Sequence, residues 1–249
     1  MAETKKAVLT KASMAKIKLI PGVSKECFLE RVFRVKSGTG TCIYGAEIRD
    51  IPDDFKLPIR DTEKFIKMYD SLVRGNSMPE LSYTKHEKEI GLGNKEVYEI
   101  VISNGKREIK FWSAPTPSME KTSEPDKTRR FRPKDNNFSF KITSEELKDL
   151  MNSANLVGAK TARFEIVVDE KNVSFVQVRA FDKNIEEQAN YSAVLDAPAT
   201  VNGRFMEFDL SLVNVERLDK NCAYDVTMCD AGCLFESAEN SLFFVFGSK

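Results

Sequence analysis

The chain of 249 residues carries one histidine, His86, and one tryptophan, Trp112. A single histidine excludes most imidazole-based proton relays and metal sites, which need a second ligand or base at fixed spacing. His86 sits in a Lys-His-Glu-Lys run that reads as exposed loop. Net charge is missing as well. The 38 lysines and arginines equal the 38 aspartates and glutamates, so no global positive field draws the chain to a polyanion. A contact of that kind needs charge segregated onto one surface. The apolar runs are too short to span a bilayer, and Met-Ala-Glu-Thr-Lys-Lys leads into no apolar leader core. Without a leader, the sequons at Asn172 and Asn190 carry no meaning. Five cysteines, an odd number, fit a reducing compartment better than a disulfide framework. The expectation is a cytoplasmic protein without membrane contact.

Catalytic and cofactor signatures are incomplete too. Cys229 and Cys233 are four apart but span a turn at Asp230-Ala-Gly232 with no second ligand pair, so they read as thiols flanking a hairpin. The stretch from Gly40 to Gly45 has phosphate-loop spacing, yet Ala46 and Glu47 stand where Lys and Ser or Thr are required. Gly38 and Gly40 stop short of a dinucleotide fingerprint. Glu145 and Glu146 fall in the first turn of a helix, where the macrodipole accounts for them. No enzyme, metal or cofactor is expected.

What the chain does contain is a unit of amphipathic helix followed by hairpin, legible twice. Thr143 and Glu146 have capping-box spacing, with Ile142 and Leu147 placed to staple it. Leu147, Leu150, Met151, Ala154 and Val157 recur at helical spacing, and Gly158 is a stop. Strands over 164–168 and 173–181 follow, joined by a polar turn at Asp169-Glu-Lys-Asn172. Near the N-terminus the same order recurs: a helix over 9–20, a strand over 27–35, a turn over 37–40 and a strand over 41–48. Further helices are expected at 62–74 and 212–218. Further strands fall at 97–102, 107–112, 204–208, 223–229 and 241–246, with Asn104-Gly105 a hairpin turn.

Residues 113–137 break the pattern with four prolines, dense charge and little periodicity. The boundaries follow: a first domain over 1–112, a connecting segment over 113–137, and a second domain over 138–249. The fold class is α+β, two similar domains with helices gathered on one face of antiparallel sheets. On the 62–74 helix, Phe65, Ile66, Tyr69, Leu72 and Val73 form the core side, while Lys64, Lys67, Ser71 and Arg74 share the other. Lys11 and Lys18 fall opposite Leu9 and Ile20, and Lys16 must snorkel. Lys148, Arg217 and Lys220 are sparser equivalents in the second half. Lysines on a helix face are solvated by default; with balanced overall charge, they also fit a basic lining that follows phosphates without reading bases.

Several blocks carry a family resemblance. They are Glu108-Ile-Lys-Phe-Trp-Ser-Ala-Pro-Thr-Pro117 with its proline-containing linker, Phe140-Lys-Ile-Thr-Ser-Glu-Glu-Leu-Lys-Asp-Leu-Met151, and the hairpin ending in Ala180-Phe-Asp-Lys183. Leu234-Phe-Glu-Ser237 with 240–246, and Leu9-Thr-Lys-Ala12 with 41–48, fall in the same order. Together they resemble the sliding DNA clamps of T-even-type bacteriophages over nearly the whole chain. No single motif is diagnostic; order, spacing and the halved layout carry the likeness.

The resemblance implies a head-to-tail homotrimeric ring whose helices line a hole around duplex DNA and whose sheets form the outer wall. It implies no cofactor, and as partners the replicative DNA polymerase, an ATP-driven clamp loader and late-transcription factors. DNA contacts then fall to Lys11, Lys18, Lys64, Lys67 and Arg74, and more weakly to Lys148, Arg217 and Lys220. Met14, Asn152 and Asn155 take other lining-side positions. Partner contacts fall to Met119 and Phe131 in the linker and to Phe243, Phe244 and Phe246, whose alternating pattern equally fits ordinary buried strand residues. The cluster Arg129-Arg-Phe-Arg132 fits a solvated linker, a loader contact or an outer DNA contact. A different class, a single-stranded nucleic-acid binder with aromatic platforms beside basic residues, is permitted by seventeen phenylalanines. A phage structural protein that assembles without DNA is a third.

Overall fold

The computed structural model describes residues 4–39, 41–90, 93–117, 119, 136–182 and 190–247. Phe131 and the Arg129–Arg132 cluster lie outside the described residues. The chain divides into two units, one formed by 1–38 with 44–125 and the other by 39–43 with 126–249.

The first unit repeats one order of elements twice. Its first half is β1 (Thr4–Val8), α1 (Lys11–Ile17), β2 (Cys27–Glu30), β3 (Val32–Lys36) and β4 (Cys42–Glu47), of which residues 42–43 group with the second unit. Its second half is β5 (Lys56–Ile59), α2 (Thr62–Leu72), β6 (Glu80–Ile90), β7 (Gly93–Ser103) and β8 (Glu108–Ser113). The second unit does the same. β9 (Asn137–Ile142), α3 (Ser144–Leu156), β10 (Thr161–Val168), β11 (Ser174–Phe181) and β12 (Tyr191–Pro198) form one half. After the short β13 (Thr200–Asn202) come β14 (Glu207–Ser211), α4 (Leu212–Val215), β15 (Tyr224–Cys229), β16 (Gly232–Ser237) and β17 (Leu242–Gly247). The sequence reads two helices with following strands in each half, one helix-and-hairpin unit in each half being clear; the structure contains four units, each led by a strand.

The leading strand of each half pairs antiparallel with the first meander strand of the other half: β1 with β6, β5 with β2, β9 with β15 and β14 with β10. The resulting sheets run β1-β6-β7-β8 in the first unit and β12-β11-β10-β14 in the second. In the second unit, β13-β9-β15-β16-β17 run side by side, and the Gly247 N–H donates to the Thr41 carbonyl at 2.8 Å.

Local chemistry fixes the element ends. The Thr143 hydroxyl accepts the Glu146 N–H while the Glu146 carboxylate accepts the Thr143 N–H at 2.7 Å, so the capping box is complete. Gly158 ends α3 at φ 65°, a left-handed position that costs glycine little. Asp169 Oδ1 accepts the Lys171 and Val173 N–H groups, and Asn104 Oδ1 accepts those of Lys106 and Arg107, shaping both anticipated hairpins. The aromatic content goes mostly inward: Phe33, Tyr44, Phe55, Phe65 and Tyr69 are fully buried in the first unit, as are Phe138, Phe164, Tyr224, Phe235, Phe244 and Phe246 across 126–249.

Several expectations shift. The helix at 9–20 stops at Ile17, where a 3-10 turn over Ile20–Gly22 begins, because Pro21 cannot continue the ladder. The strand at 27–35 is two strands broken at Arg31, and the one at 204–208 starts only at Glu207. Met14, placed on the lining side, is 3% exposed and belongs to the core. His86 is not in a loop. It lies half-buried on β6, an eleven-residue strand whose alternation at Leu81-Ser82-Tyr83-Thr84 gives way to the charged run Lys85-His-Glu-Lys-Glu89, which hides the strand period. Strands β1, β5, β6, β12 and β13 went unread for the same reason or for shortness.

Gly232 opens β16 at φ 143°, and a Cβ there would collide with the Phe246 carbonyl oxygen on the adjacent β17. Gly232→Ala should lower the stability of the second unit by about 2–4 kcal/mol, read as a drop in the urea midpoint followed by far-UV circular dichroism.

Candidate nucleic-acid interface

The Lys18–Asp70 ion pair joins α1 to α2, and the two helices expose lysines alongside the acids Glu63 and Asp70. α1 is set at its N-terminus by Asp50, whose Oδ2 accepts the Thr10 N–H at 2.8 Å, the Thr10 hydroxyl at 2.7 Å and the Ser13 hydroxyl. Burial raises the Asp50 pKa, but the Ser13 and Thr10 hydrogen bonds outweigh it and hold the carboxyl below its ordinary value. α2 is capped by Asp61, which accepts the Lys64 N–H at 2.8 Å. The buried Tyr69 hydroxyl donates to the Pro79 carbonyl at 2.8 Å, locking α2 onto the strand that follows.

The five cations anticipated on these helices are not equivalent. Lys18 Nζ bridges to Asp70 Oδ2 at 2.8 Å, joining α1 to α2, and Lys67 pairs with Glu63 one turn back at 2.6 Å. Lys11 donates to Asn76 Oδ1 at 2.8 Å. Lys64 and Arg74 are exposed with no ion pair among the described residues. Lys16 snorkels, its Nζ donating to the Glu47 carbonyl at 2.8 Å. Exposed pairs of this kind are worth about 0.2–1 kcal/mol each, so a competing phosphate displaces them at small cost.

The second unit has a sparser face. Lys148 is exposed on α3 beside Asn152, Asn155 and an 88% exposed Leu156. Arg217, after α4, is turned toward its own unit: its Nη1 donates to Asn214 Oδ1 at 2.8 Å. It also lies against the Cys42 thiol, which burial pushes up to about 11 despite that guanidinium. Lys220 is half-buried. Four residues of α4 offer little surface for a phosphate track.

The sheet faces turned away from the helices carry ion-pair lattices rather than uncompensated acid. Arg163 grips Asp209 in bidentate fashion at 2.7 and 3.1 Å, and Arg179 bonds Glu165 at 2.8 Å. In the first unit, Glu99 accepts from Lys110 at 2.5 Å and from His86 Nε2 at 3.2 Å, and the His86 ring lies 5.3 Å from the Trp112 ring. The Lys110 hydrogen bond chiefly holds the Glu99 carboxyl below its ordinary pKa.

Of the residues considered for partner contact, Met119, Phe244 and Phe246 are buried and Phe243 is half-buried. Among the described residues these four build no exposed apolar groove. Among the described residues Trp112 is the one large aromatic side chain exposed, so the sheets present no row of aromatic platforms for single-stranded bases. Sequence reasoning passed over Asp50, whose role depends on a contact forty residues away in sequence from Thr10, and the strand β12. Among the described residues no group of side chains is arranged to hold a metal ion, and no helix is long and apolar enough to cross a membrane.

No protein-family model matches the chain, and no curated protein sequence matches it. A solved structure does: the crystal structure of Proliferating Cellular Nuclear Antigen from Entamoeba histolytica superposes with a TM-score of 0.64 over 100% of both chains, at 10% identity. At that identity the likeness establishes the fold.

Two outcomes test this face. Removing an uncommitted cation, by Lys64→Ala or Arg74→Ala, should weaken low-salt association with duplex DNA more than Lys67→Ala. Each should reduce the slope of log affinity against log salt by about 1, measured by fluorescence anisotropy. Asp50→Asn should cost about 1–2 kcal/mol of first-unit stability at neutral pH. Because the folded pKa is lowered, the carboxylate's contribution is full above the ordinary value of 3.8 and is lost as pH falls through the folded value. The variant's acid unfolding curve should therefore be shallower than that of the parent.

Proposed function

We propose that this protein is a sliding clamp: a ring of identical copies that encircles duplex DNA and tethers a replicative DNA polymerase. The observation that carries the reading is the set of exposed cations on and just after α1 and α2, mounted on twice-repeated strand–helix–meander units. The same fold is found in a proliferating cellular nuclear antigen, a protein of the sliding-clamp class. The blocks that resemble T-even phage clamps support it independently of that fold likeness. In the proposal the clamp domains span 1–112 and 138–249, joined by 113–137.

The physics of such a device suits these residues. A closed ring retains DNA topologically, so its contacts need not be strong. Lysine and arginine contacts to phosphate carry no base information and let the ring slide. Zero net charge keeps the outer lattices from clinging to DNA from outside, while Lys64, Arg74 and Lys148 stay available to a duplex within. Lys11, Lys18 and Lys67 join them by exchanging weak local partners for phosphate. A heterologous contact between copies closes into a ring when its rotation closes; the reading takes three copies. A closed ring needs an opener, hence an ATP-driven loader, and late-transcription factors are further partners the phage resemblance suggests. Phe243 and the connecting segment remain the proposed region for partner peptides.

Light scattering across a dilution series should find a species near three times 28.2 kDa. The protein should be retained by nicked circular duplex and released when the circle is cut. A strict monomer at every concentration, or equal retention by linear and circular DNA, overturns the reading.

A further inference from the structure

The chain holds two asparagine–glycine pairs, Asn104-Gly105 and Asn202-Gly203. Both glycines sit at positive φ, 80° in the β7–β8 hairpin and 90° just after β13. At Gly203 a Cβ would also come within 2.9 Å of the Asn136 Cα, so the fold keeps glycine there. The missing Cβ has a chemical consequence: the glycine nitrogen is open to approach by the side chain before it. Once that nitrogen gives its proton to hydroxide, it can add to the asparagine Cγ and close a five-membered ring, the reaction that makes asparagine thermolabile. Closure depends on what the amide must release in order to turn toward the next nitrogen.

The two pairs differ in this respect. Asn104 is half-buried and held at both ends of its amide. Its Oδ1 accepts the Lys106 and Arg107 N–H groups at 3.1 and 3.0 Å, and its Nδ2 donates to the Leu72 carbonyl at 2.9 Å. The Gly105 N–H, the group that would attack, donates to Ser103 Oγ at 3.2 Å. Reaction there breaks all of these bonds and opens the hairpin they shape. Asn202 is exposed, and its amide makes one hydrogen bond among the described residues, from Nδ2 to Asn137 Oδ1 at 3.2 Å. It is the last residue of β13, a three-residue strand at the end of its sheet order that pairs with β9. The ends of short outer strands open at low free energy, so this side chain turns toward Gly203 at small cost.

We propose that Asn202 is a site of spontaneous deamidation in the folded protein, whereas Asn104, in the same dipeptide, is protected by its contacts. Water is the one co-reactant. The Gly203 N–H loses its proton and its nitrogen bonds to Asn202 Cγ. The Cγ–Nδ2 bond then breaks as the amine takes up a proton and leaves as ammonia. Water opens the resulting succinimide at either carbonyl, giving aspartate or isoaspartate, and each product carries a new negative charge. Aspartate has no N–H to give Asn137 Oδ1, which belongs to a buried side chain. Isoaspartate lengthens the main chain by one carbon ahead of Gly203, which draws the Arg204 N–H away from Asn136 Oδ1, its acceptor at 2.8 Å. Both products loosen β13 from β9, so the reaction marks the age of a chain by weakening one border of the second unit. The proposal is independent of the ring reading.

The test is an ageing series on the full chain in warm, mildly alkaline buffer. Samples are digested and read by peptide mass spectrometry, with isoaspartate counted by an isoaspartate-specific methyltransferase. The Asn202 peptide should convert at least about tenfold faster than the Asn104 peptide, since the latter must give up several more hydrogen bonds. A parallel series in concentrated urea should convert both peptides at one rate, which isolates the fold as the cause. In the aged folded chain, amide hydrogen exchange over 137–139 and 200–202 should speed by about tenfold relative to fresh protein. Asn202→Gln, whose longer side chain closes a ring far more slowly, should abolish that acceleration. Equal rates at the two sites in the folded chain, or faster conversion at Asn104, overturn the proposal. An Asn202 peptide that stays intact in the folded chain while it converts in urea overturns it as well.

Discussion

The four antiparallel pairs β1–β6, β5–β2, β9–β15 and β14–β10 are the contacts on which the rest depends. In each, a leading strand leaves its own half and completes the meander of the other. Neither half of a unit has a finished sheet without this exchange, because a three-stranded meander alone leaves one apolar face and two edges unsatisfied. The exchange also fixes the helices. A helix that follows a leading strand starts at the sheet of the opposite half and so comes to lie over the shared interior, which is how α2 reaches β7 and α3 reaches β11 and β12. Such pairings are long-range in sequence, so each unit closes its longest loops before its sheets are rewarded, a topology that folds slowly.

The charge arrangement follows from that scaffold. With equal numbers of cations and anions, position is what gives the molecule a polarity. On the sheet faces, arginines and lysines lie directly across from carboxylates at cross-strand distance and are consumed in lattices such as Arg163–Asp209 and Glu99–Lys110. On the helices, successive turns space the cations too widely for every one to find a local acid. Lys18 and Lys67 do, Lys64 and Arg74 do not. A polyanion approaching the helices meets charge that costs little to recruit, and one approaching the sheets meets charge already spent.

Legibility differed by element. Helix α3 was readable almost to the residue because its cap, staple, apolar period and stop are all local. The hairpins at Asn104 and Asp169 were readable from turn chemistry alone. His86 was misplaced and β6 missed because its alternation stops after Thr84 and the rest of the strand is a run of charged residues with no apolar positions to read. Met14 was misassigned because a short helix turns through too small an arc for its buried side to be fixed by period. Arg217 looked like a lining cation until the fold laid it against Cys42.

The sequence by itself determined the balanced charge, the absence of a histidine-based site, the capped helices with their cationic faces, the turn positions and the duplicated grammar of helix and hairpin. These are set by interactions between residues fewer than about five positions apart. Only the tertiary structure decided that each unit is led by a strand, that leading strands are exchanged between halves, and which lysines keep free charge. Those are outcomes of hydrogen-bond closure and burial between segments tens of residues apart, and no local pattern records which strand will supply the missing edge.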